Sequence, residues 1–236
     1  MIYLDYNATT PIDEEVATAM LPYLYGTFGN PSSGHAFGFS ARKPILEARL
    51  QVAALLGCDA EEIVFTSGGS ESNNMVIKGV AHTYRNKGNH IITSQTEHPA
   101  IMKPLSYLEE LGYVVSYVSV DQDGLVDPDE IDGLITSETI LVTIMHANNE
   151  TGTIQPIKEI AEICGRRNVL FHTDAAQSIG KVPVDVRELG VDFLTVAGHK
   201  LYAPKGVGAL FIRDGIEIEP LIHGAGHESG RRAGFT

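Results

Sequence analysis

Two charged residues, Lys200 and Asp174, lie where buried strands are predicted to end. An amine and a carboxylate in such positions could act on the same ligand. The largely apolar run "VDFLTVA" stops at Gly198-His199-Lys200, and "VLFHTD" delivers Asp174 one strand-helix-strand step earlier. A lysine amine can bond covalently to a carbonyl carbon, and a buried carboxylate needs a cation or hydrogen-bond donors opposite it. Asp174 and Lys200 therefore either pair directly or hold opposite ends of one ligand.

A glycine-rich turn follows the first predicted strand, in the stretch "FTSGGSESNN". Gly69 allows close backbone approach, Ser70 offers a hydroxyl, and the start of the following helix offers free N–H groups, which together suit a phosphate. The alternative is an ordinary turn. A nucleophile elbow would need glycine in place of Ser72, no G-x-x-x-x-G-K-[ST] occurs, and "GAGHESG" does not follow the dinucleotide pattern.

Three further polar side chains follow predicted strands. His98 either stacks on a flat aromatic ligand or caps a helix, and the pair Asn148-Asn149 either faces the site or caps a turn. Gln177 follows Asp174 closely and could donate to a ring oxygen.

One ligand would use all of these groups, namely a phosphorylated aromatic aldehyde. Lys200 would form its Schiff base, Asp174 would keep the pyridine nitrogen protonated, and the Gly69-Ser70 turn would bind the phosphate. Gln177 would then donate to the phenolic oxygen and His98 would cover the ring. That ligand is pyridoxal 5'-phosphate.

The elements that must position these residues alternate between short apolar runs and helical patterns, which predicts an α/β fold with one wide, largely parallel sheet. Ligands of such sheets bind beyond the carboxyl ends of the strands. A helix is predicted from Ser40, with Pro44 in its first turn, to Leu56, and another from Pro156. The predicted strands are Ile63 to Thr66, His90 to Ser94, Val114 to Val120, Ile140 to Met145, Val169 to His172, Phe193 to Ala197 and Ala209 to Ile212.

Composition narrows the class of protein further. With 236 residues, 43% of them hydrophobic and 20% charged, the chain can bury a sizeable core. Its formal charge of −13 argues against a nucleic-acid partner. No apolar stretch is long enough to span a bilayer, and a cytoplasmic location is expected. The two cysteines, Cys58 and Cys164, form no C-x-x-C pair, so neither a disulfide nor a metal site is predicted.

Eight motifs in a fixed order resemble those of the cysteine desulfurases of the class V aminotransferase superfamily, and selenocysteine lyases share the same set. The resemblance runs from Ile2 to about Gly234. The motifs are "YLDYNATTP", "GNPSSGH", "FTSGGSESNN", "TEHPAI", "ANNETGTIQP", "HTDAAQSIGK", "AGHKLYAPKGVGALF" and "HGAGHESGRRAG".

The resemblance implies a fold and a set of roles. The expected fold is the large domain of fold type I pyridoxal-phosphate transferases, with residues 1–15 as a segment near the active site and 16–236 as the cofactor domain. Lys200 and His98 would be catalytic. The cofactor would be bound by Gly69, Ser70, His98, Asn149, Asp174, Gln177, His199 and Lys200.

The implied activity is removal of sulfur from L-cysteine, giving alanine and an enzyme persulfide, in a homodimer that hands sulfur to an acceptor protein. Selenocysteine lyase activity with L-selenocysteine, a plain aminotransferase or lyase, and a non-catalytic cofactor domain pairing with a full-length subunit are the alternatives. Family members continue past the position of Thr236 with a loop carrying the catalytic cysteine and a small C-terminal domain. Neither Cys58 nor Cys164 matches that cysteine's motif.

Overall fold

One seven-stranded sheet organises the part of the chain that the structure, a computed structural model, describes, which is residues 1–234. The strands are β1 (Ile63–Thr66), β2 (His90–Ser94), β3 (Val114–Val118), β4 (Thr139–Thr143), β5 (Leu170–Asp174), β6 (Phe193–Ala197) and β7 (Gly208–Ile212). Their spatial order is β1-β7-β6-β5-β4-β2-β3. Strand β7 is antiparallel to both of its neighbours, and the other pairs are parallel. The predicted α/β class and largely parallel sheet are confirmed.

Helices cover both faces of the sheet within residues 1–234. The helices of this region are α1 (Glu14–Tyr25), which buries none of its residues, α2 (Ala36–Leu56), α3 (Gly69–Tyr84), α4 (Pro99–Glu110), α5 (Pro128–Leu134), α6 (Ile157–Arg167) and α7 (Val186–Leu189). Helices α3 and α4 pack on one face around Met75, Ile101 and Phe193. Helices α2, α5, α6 and α7 pack on the other face around Leu56, Ile160 and Phe171. Burial of these apolar faces against the sheet is the main stabilising contribution.

Three strands have the predicted bounds, and the other four differ at their ends. The apolar run through Met145 suggested a longer β4, but its ladder with β5 ends at Thr143, paired with His172, and the chain then turns into a loop while staying buried. Strand β5 continues to Asp174 instead of stopping at His172, because Thr173 and Asp174 still pair with β6. Burial and pairing therefore end at different residues.

The predicted start of α2 at Ser40 is wrong. The helix begins at Ala36, and the ring nitrogen Nδ1 of His35 accepts a hydrogen bond from the Gly38 amide at 3.4 Å. Pro44 therefore lies inside the helix and not in its first turn. Helix α6 begins at Ile157, one residue after the predicted Pro156, and buries the expected stripe ending at Cys164.

No helix within residues 1–234 combines the length and apolarity needed to cross a membrane. Over the same residues, no cluster of His, Cys, Asp and Glu has the arrangement of a metal site.

Candidate functional site

All eight predicted site residues line one cavity of about 700 Å³ at the carboxyl edge of the parallel strands. The ends of β1, β5 and β6 and the loops after β2 and β4 supply them, so five separate segments meet there. The residues are Gly69, Ser70, His98, Asn149, Asp174, Gln177, His199 and Lys200. This convergence is what the strand-end pattern predicted.

Asp174 ends β5 with its carboxylate buried and held by neutral donors. Oδ2 accepts a hydrogen bond from Nδ2 of Asn73 at 2.7 Å, and Oδ1 accepts one from the Ala176 amide at 3.0 Å. The side chain is 7% exposed. Hydrogen bonds from neutral groups stabilise the ionised form of a carboxylate.

Lys200 lies in a short 3₁₀ turn directly after β6. Among the ion pairs of residues 1–234, none joins Lys200 to Asp174. The direct pairing considered from the sequence is therefore wrong. Burial lowers the pKa of the Lys200 amine; the charge of Lys181 adds to the lowering, while Asp174 and Glu150 oppose it. A lowered pKa leaves more of the amine neutral, the form that attacks a carbonyl.

The turn between β1 and α3 forms an open cradle for an anion. Gly68 has φ 142° and ψ −177°, a conformation essentially restricted to glycine, and a Cβ there would meet no atom within 4 Å. Helix α3 then starts at Gly69, so its first N–H groups have no intrahelical acceptor. The Ser70 hydroxyl faces the same cavity without a hydrogen-bond partner among residues 1–234.

Glu71 places an acidic group at this helix start, and Arg232 counters its charge. The Arg232 Nε lies 2.8 Å from Oε1 of Glu71, and the Ser67 amide donates to Oε2 at 2.7 Å. Burial alone would raise the pKa of Glu71, but these hydrogen bonds hold it below the usual value. The pair also fastens the segment around Arg232 to α3.

His98 has the capping role and also faces the cavity, where its stacking on a ligand remains a prediction. It caps α4, because its Nδ1 accepts a hydrogen bond from the Ala100 amide at 3.1 Å, and its ring also lines the cavity. A neutral ring that accepts at Nδ1 carries its proton on Nε2. The asparagine pair divides the two roles, since Asn148 caps the loop through its Oδ1 and Asn149 faces the cavity.

The N-terminal segment closes one side of the cavity. Asp5 and Asn7 are among its lining residues, and the Gln177 Nε2 donates to the Asn7 carbonyl at 2.9 Å. Both the amide and the hydroxyl of Thr10 donate to the His199 carbonyl, at 3.0 and 2.9 Å. Hydrogen bonds with residues that follow β5 and β6 therefore hold the N-terminal segment in place.

Glu97 was not singled out as a site residue from the sequence, although it precedes His98. Its Oε1 accepts hydrogen bonds from the Ser94 hydroxyl and the Met145 amide, which joins the end of β2 to a residue lining the cavity. Burial raises the pKa of this carboxyl to about 8. The dipeptide Glu97-His98 does not predict the burial of Glu97, because burial depends on the tertiary packing.

Asn73, Glu71 and Asn7 are further cavity residues that the sequence-based set did not contain. Asn73 and Glu71 sit within the helical stretch after the Gly69-Ser70 turn, where a polar residue is ordinarily solvated. The available signal was the spacing of Ser70 and Asn73, since residues three apart share one face of a helix. Asn7 gave no signal, because its partner Gln177 is distant in sequence.

Both cysteines lie outside this cavity. Burial raises the pKa of Cys58 and of Cys164 to about 12. The thiolate is the nucleophilic form, so neither thiol is activated.

Comparisons with known proteins agree with this geometry. A family model described as aminotransferase class-V matches residues 2–230. A cysteine desulfurase IscS of Dictyoglomus turgidum is 54% identical over 233 residues, covering 99% of this chain. The chain spans 59% of the length of that relative.

Two solved structures superimpose closely on the described fold. One is described as SspA in complex with cysteine, with a TM-score of 0.97 and 42% identity; the alignment covers 100% of this chain and 69% of that one. The other is described as a NifS-like protein, with a TM-score of 0.97 and 43% identity, covering 100% of this chain and 65% of that one.

Proposed function

The chain belongs to the aminotransferase class-V family, whose cofactor is pyridoxal 5'-phosphate, and we propose that it serves in removing sulfur from L-cysteine. The observation that supports this most directly is the cavity at the strand ends, where a lysine amine and a buried carboxylate meet without neutralising each other. The relative from Dictyoglomus turgidum is a cysteine desulfurase, and the SspA structure contains cysteine, which favours L-cysteine over L-selenocysteine.

The residues around the cavity fit this cofactor. The buried Asp174 carboxylate has only neutral donors, so it is suited to face a protonated ring nitrogen. The glycine-only turn at Gly68, the start of α3 and the Ser70 hydroxyl match a phosphate. The Lys200 amine has no hydrogen-bond acceptor among residues 1–234, which leaves it available for an aldehyde.

We assign one role to each residue that would hold the cofactor. Gly69, Ser70 and His199 would bind the phosphate, Asp174 the ring nitrogen and Gln177 the phenolic oxygen. His98 would cover the ring face, and Asn149 would lie beside the ring. When bound, the coenzyme supplies an aldehyde for the Lys200 amine and an electron-withdrawing ring that makes the Cα–H of an amino acid acidic.

The chain's own residues would then handle protons and exclude water. Lys200, once its amine is free, would take the Cα proton and return it, since its pKa is lowered by burial and by Lys181. Breaking the carbon–sulfur bond requires a thiolate to accept the sulfur, and the pKa of the half-buried Cys58 and of the buried Cys164 is raised to about 12, so both stay thiols. We therefore assign the sulfur-accepting step to neither of them.

A second copy of the chain is part of the proposal. The first fifty residues expose a group of large apolar side chains that would be costly to leave in water. The group includes Leu4, Leu24, Tyr25, Phe28, Phe37 and Phe39. Leu4 directly precedes Asp5, which lines the cavity, and this supports a homodimer with the two sites near the interface.

A titration with the coenzyme tests the proposed function. The native chain is expected to bind it and to show a new absorbance band at longer wavelength than the free aldehyde. Lys200→Ala should lose this band because the amine is gone. Lys158→Ala, which removes an exposed lysine of α6, should keep it. An unchanged band in Lys200→Ala would refute the assignment of Lys200.

Product analysis then separates the proposed activity from the alternatives. Alanine and sulfide should form from L-cysteine in the loaded native chain, with added thiol as sulfur acceptor. Transamination products from L-alanine would instead indicate an aminotransferase. Sulfide that appears only after a full-length relative is added would support the non-catalytic subunit.

A further inference from the structure

The buried contact between Asn73 and Asp174 is the feature of the cavity that the proposed function does not yet use. The Nδ2 of Asn73 lies 2.7 Å from Oδ2 of Asp174, and the exposed fractions of the two residues are 1% and 7%. A hydrogen bond to an ionised acceptor is stronger than one between neutral groups, and burial strengthens it further.

The Asn73 amide has one workable orientation. Its NH₂ group faces the carboxylate, while its Oδ1 is buried without any hydrogen-bond partner among residues 1–234. The reverse orientation would place Oδ1 against a carboxylate oxygen, where the two acceptors repel. The chain thus tolerates an unpaired buried carbonyl in order to present a donor to Asp174, and such groups call for an explanation.

The location of Asn73 on α3 supplies that explanation. Ser70, in the first turn, faces the cavity at the anion cradle, and Asn73 lies one turn later on the same side of the helix. The helix therefore sets the positions of the phosphate cradle and of the donor to Asp174 together. This places the carboxylate at a fixed distance from the cradle, as a rigid ligand with a phosphate and a basic nitrogen would require.

We propose that Asn73 is a positioning residue that holds the Asp174 carboxylate in the orientation that faces the ring nitrogen of the coenzyme. This inference rests on the proposed function, since it assumes that a basic ring nitrogen occupies the cavity. A residue with a purely structural role would affect every ligand of the cavity equally. A positioning residue of Asp174 affects only ligands that carry the ring nitrogen.

The test compares two ligands on the same variants. Pyridoxal 5'-phosphate and its deaza analogue, which has a C–H in place of the ring nitrogen, are titrated against the native chain and Asn73→Leu. The dissociation constant of the native coenzyme should rise about tenfold in Asn73→Leu. That of the deaza analogue should change less than about twofold, because it makes no use of the carboxylate's charge.

Two further variants serve as comparisons. Asn73→Asp keeps the shape of the side chain, and a proton shared between the two carboxyl groups takes the place of the amide donor. This variant should bind the coenzyme nearly as well as the native chain near neutral pH. It should lose affinity at alkaline pH, where the shared proton is removed. Asn89→Leu makes the same replacement in the loop before β2, away from the cavity, and should leave both dissociation constants unchanged. The inference would be overturned if Asn73→Leu raised the dissociation constants of both ligands equally, or if it changed neither of them.

A measurement without coenzyme separates this inference from the proposed function. The infrared carboxylate band of Asp174, assigned by difference against Asp174→Asn, reports the hydrogen bonding of the carboxylate in the unloaded chain. Asn73→Leu should shift this band because the 2.7 Å hydrogen bond is lost, and an unchanged band would count against the inference. Failure of the native chain to bind either ligand would instead remove the proposed function.

Discussion

Lys200 and Asp174 face a common cavity while each keeps its own set of neighbours. Asp174 is satisfied by the Asn73 amide and the Ala176 N–H, which are both uncharged. Lys200 is affected by burial first, and its pKa is lowered despite the opposing charges of Asp174 and Glu150. Two groups of opposite charge can remain separately available in this way, because neither is the other's main stabilising partner.

Lys181 provides a test of the electrostatics at Lys200. Its Nζ donates to Oε1 of Gln177 at 2.7 Å, and its charge helps to lower the pKa of Lys200. In Lys181→Met the pKa of Lys200 should therefore rise, and acylation of Lys200 should begin at higher pH. The measurement is the rate of Lys200 labelling by an amine reagent in the coenzyme-free chain, followed by peptide mass spectrometry across pH.

Lys158→Met is the matched control for this experiment, since it removes the same charge from the surface of α6. Labelling of Lys200 should follow the native pH profile in that variant. The charges that face Lys200 are those of Asp174, Glu150 and Lys181, and His199 is its chain neighbour. A native profile in Lys181→Met would contradict the contribution of Lys181 to the lowered pKa of Lys200.

The positions of single residues were predictable where a strand delivers them. Lys200, Asp174 and Ser70 each follow an apolar run, and parallel strands carry such residues to one edge. The hydrogen bonds among them were not predictable, because they join residues distant in sequence. Asn73 meets Asp174 only after α3 has packed on the sheet, and Gln177 meets Asn7 only after the N-terminal segment has crossed the cavity.

At the scale of elements, the turn from β1 into α3 depends on backbone conformation more than on side chains. Gly68 adopts φ 142° next to the start of β7, where a Cβ on Gly208 would lie 2.6 Å from the Gly68 Cα. The absence of a Cβ at Gly208 allows the backbones to approach this closely. The anion cradle is thus built by the packing of β7 against the loop after β1.

Replacing Gly68 by alanine should separate backbone strain from steric overlap. A Cβ at Gly68 meets nothing within 4 Å, so Gly68→Ala should cost about 1–3 kcal/mol of unfolding free energy through its φ alone. Coenzyme affinity should fall as the cradle distorts. Denaturant unfolding and a binding titration measure the two effects.

Gly133→Ala is the comparison for that substitution. Gly133 lies in α5 with open space around its Cβ position and without a positive φ, so alanine there should raise the unfolding free energy by about 0.5–1 kcal/mol. Equal stability of Gly68→Ala and the native chain would refute the strain argument.

Helix and strand interiors were predicted better than their ends. The α2 prediction failed at Ser40 because serine and an early proline are usual signs of a helix start, whereas the structure uses His35 as the cap. The predicted strand ends were wrong in two situations. Buried apolar residues continue beyond the last paired residue after Thr143, and pairing continues through polar residues as far as Asp174. In each case a tertiary contact outweighed the local pattern.

The stability of the whole molecule should depend on pH through a histidine within the sheet. His172 lies on β5, with Nδ1 2.8 Å from the Thr143 hydroxyl and Nε2 3.0 Å from the Thr195 hydroxyl. Burial lowers its pKa from 6.5 to about 3. Between these values the unfolded chain binds a proton that the folded chain does not, so stability falls as the pH falls.

His172→Gln should reduce this acid sensitivity. Each such group contributes a slope of up to ~1.4 kcal/mol per pH unit, present below pH 6.5 and absent above it. Urea unfolding of the native chain and the variant, at several pH values from 7 down to 5, gives the difference in slope. The exposed His82→Gln serves as the control and should keep the native slope. Identical slopes for His172→Gln and the native chain would contradict the assignment.

The sheet order also has a consequence for synthesis of the chain. Within residues 1–234, strand β1 pairs only with β7, and β7 is the last of these seven strands to leave the ribosome. The β1 edge of the sheet, which carries the phosphate cradle, therefore has no paired strand until nearly all of this region has been translated. A nascent chain could not capture the vitamin-derived coenzyme early, and assembly of the binding site would mark completion of the sheet.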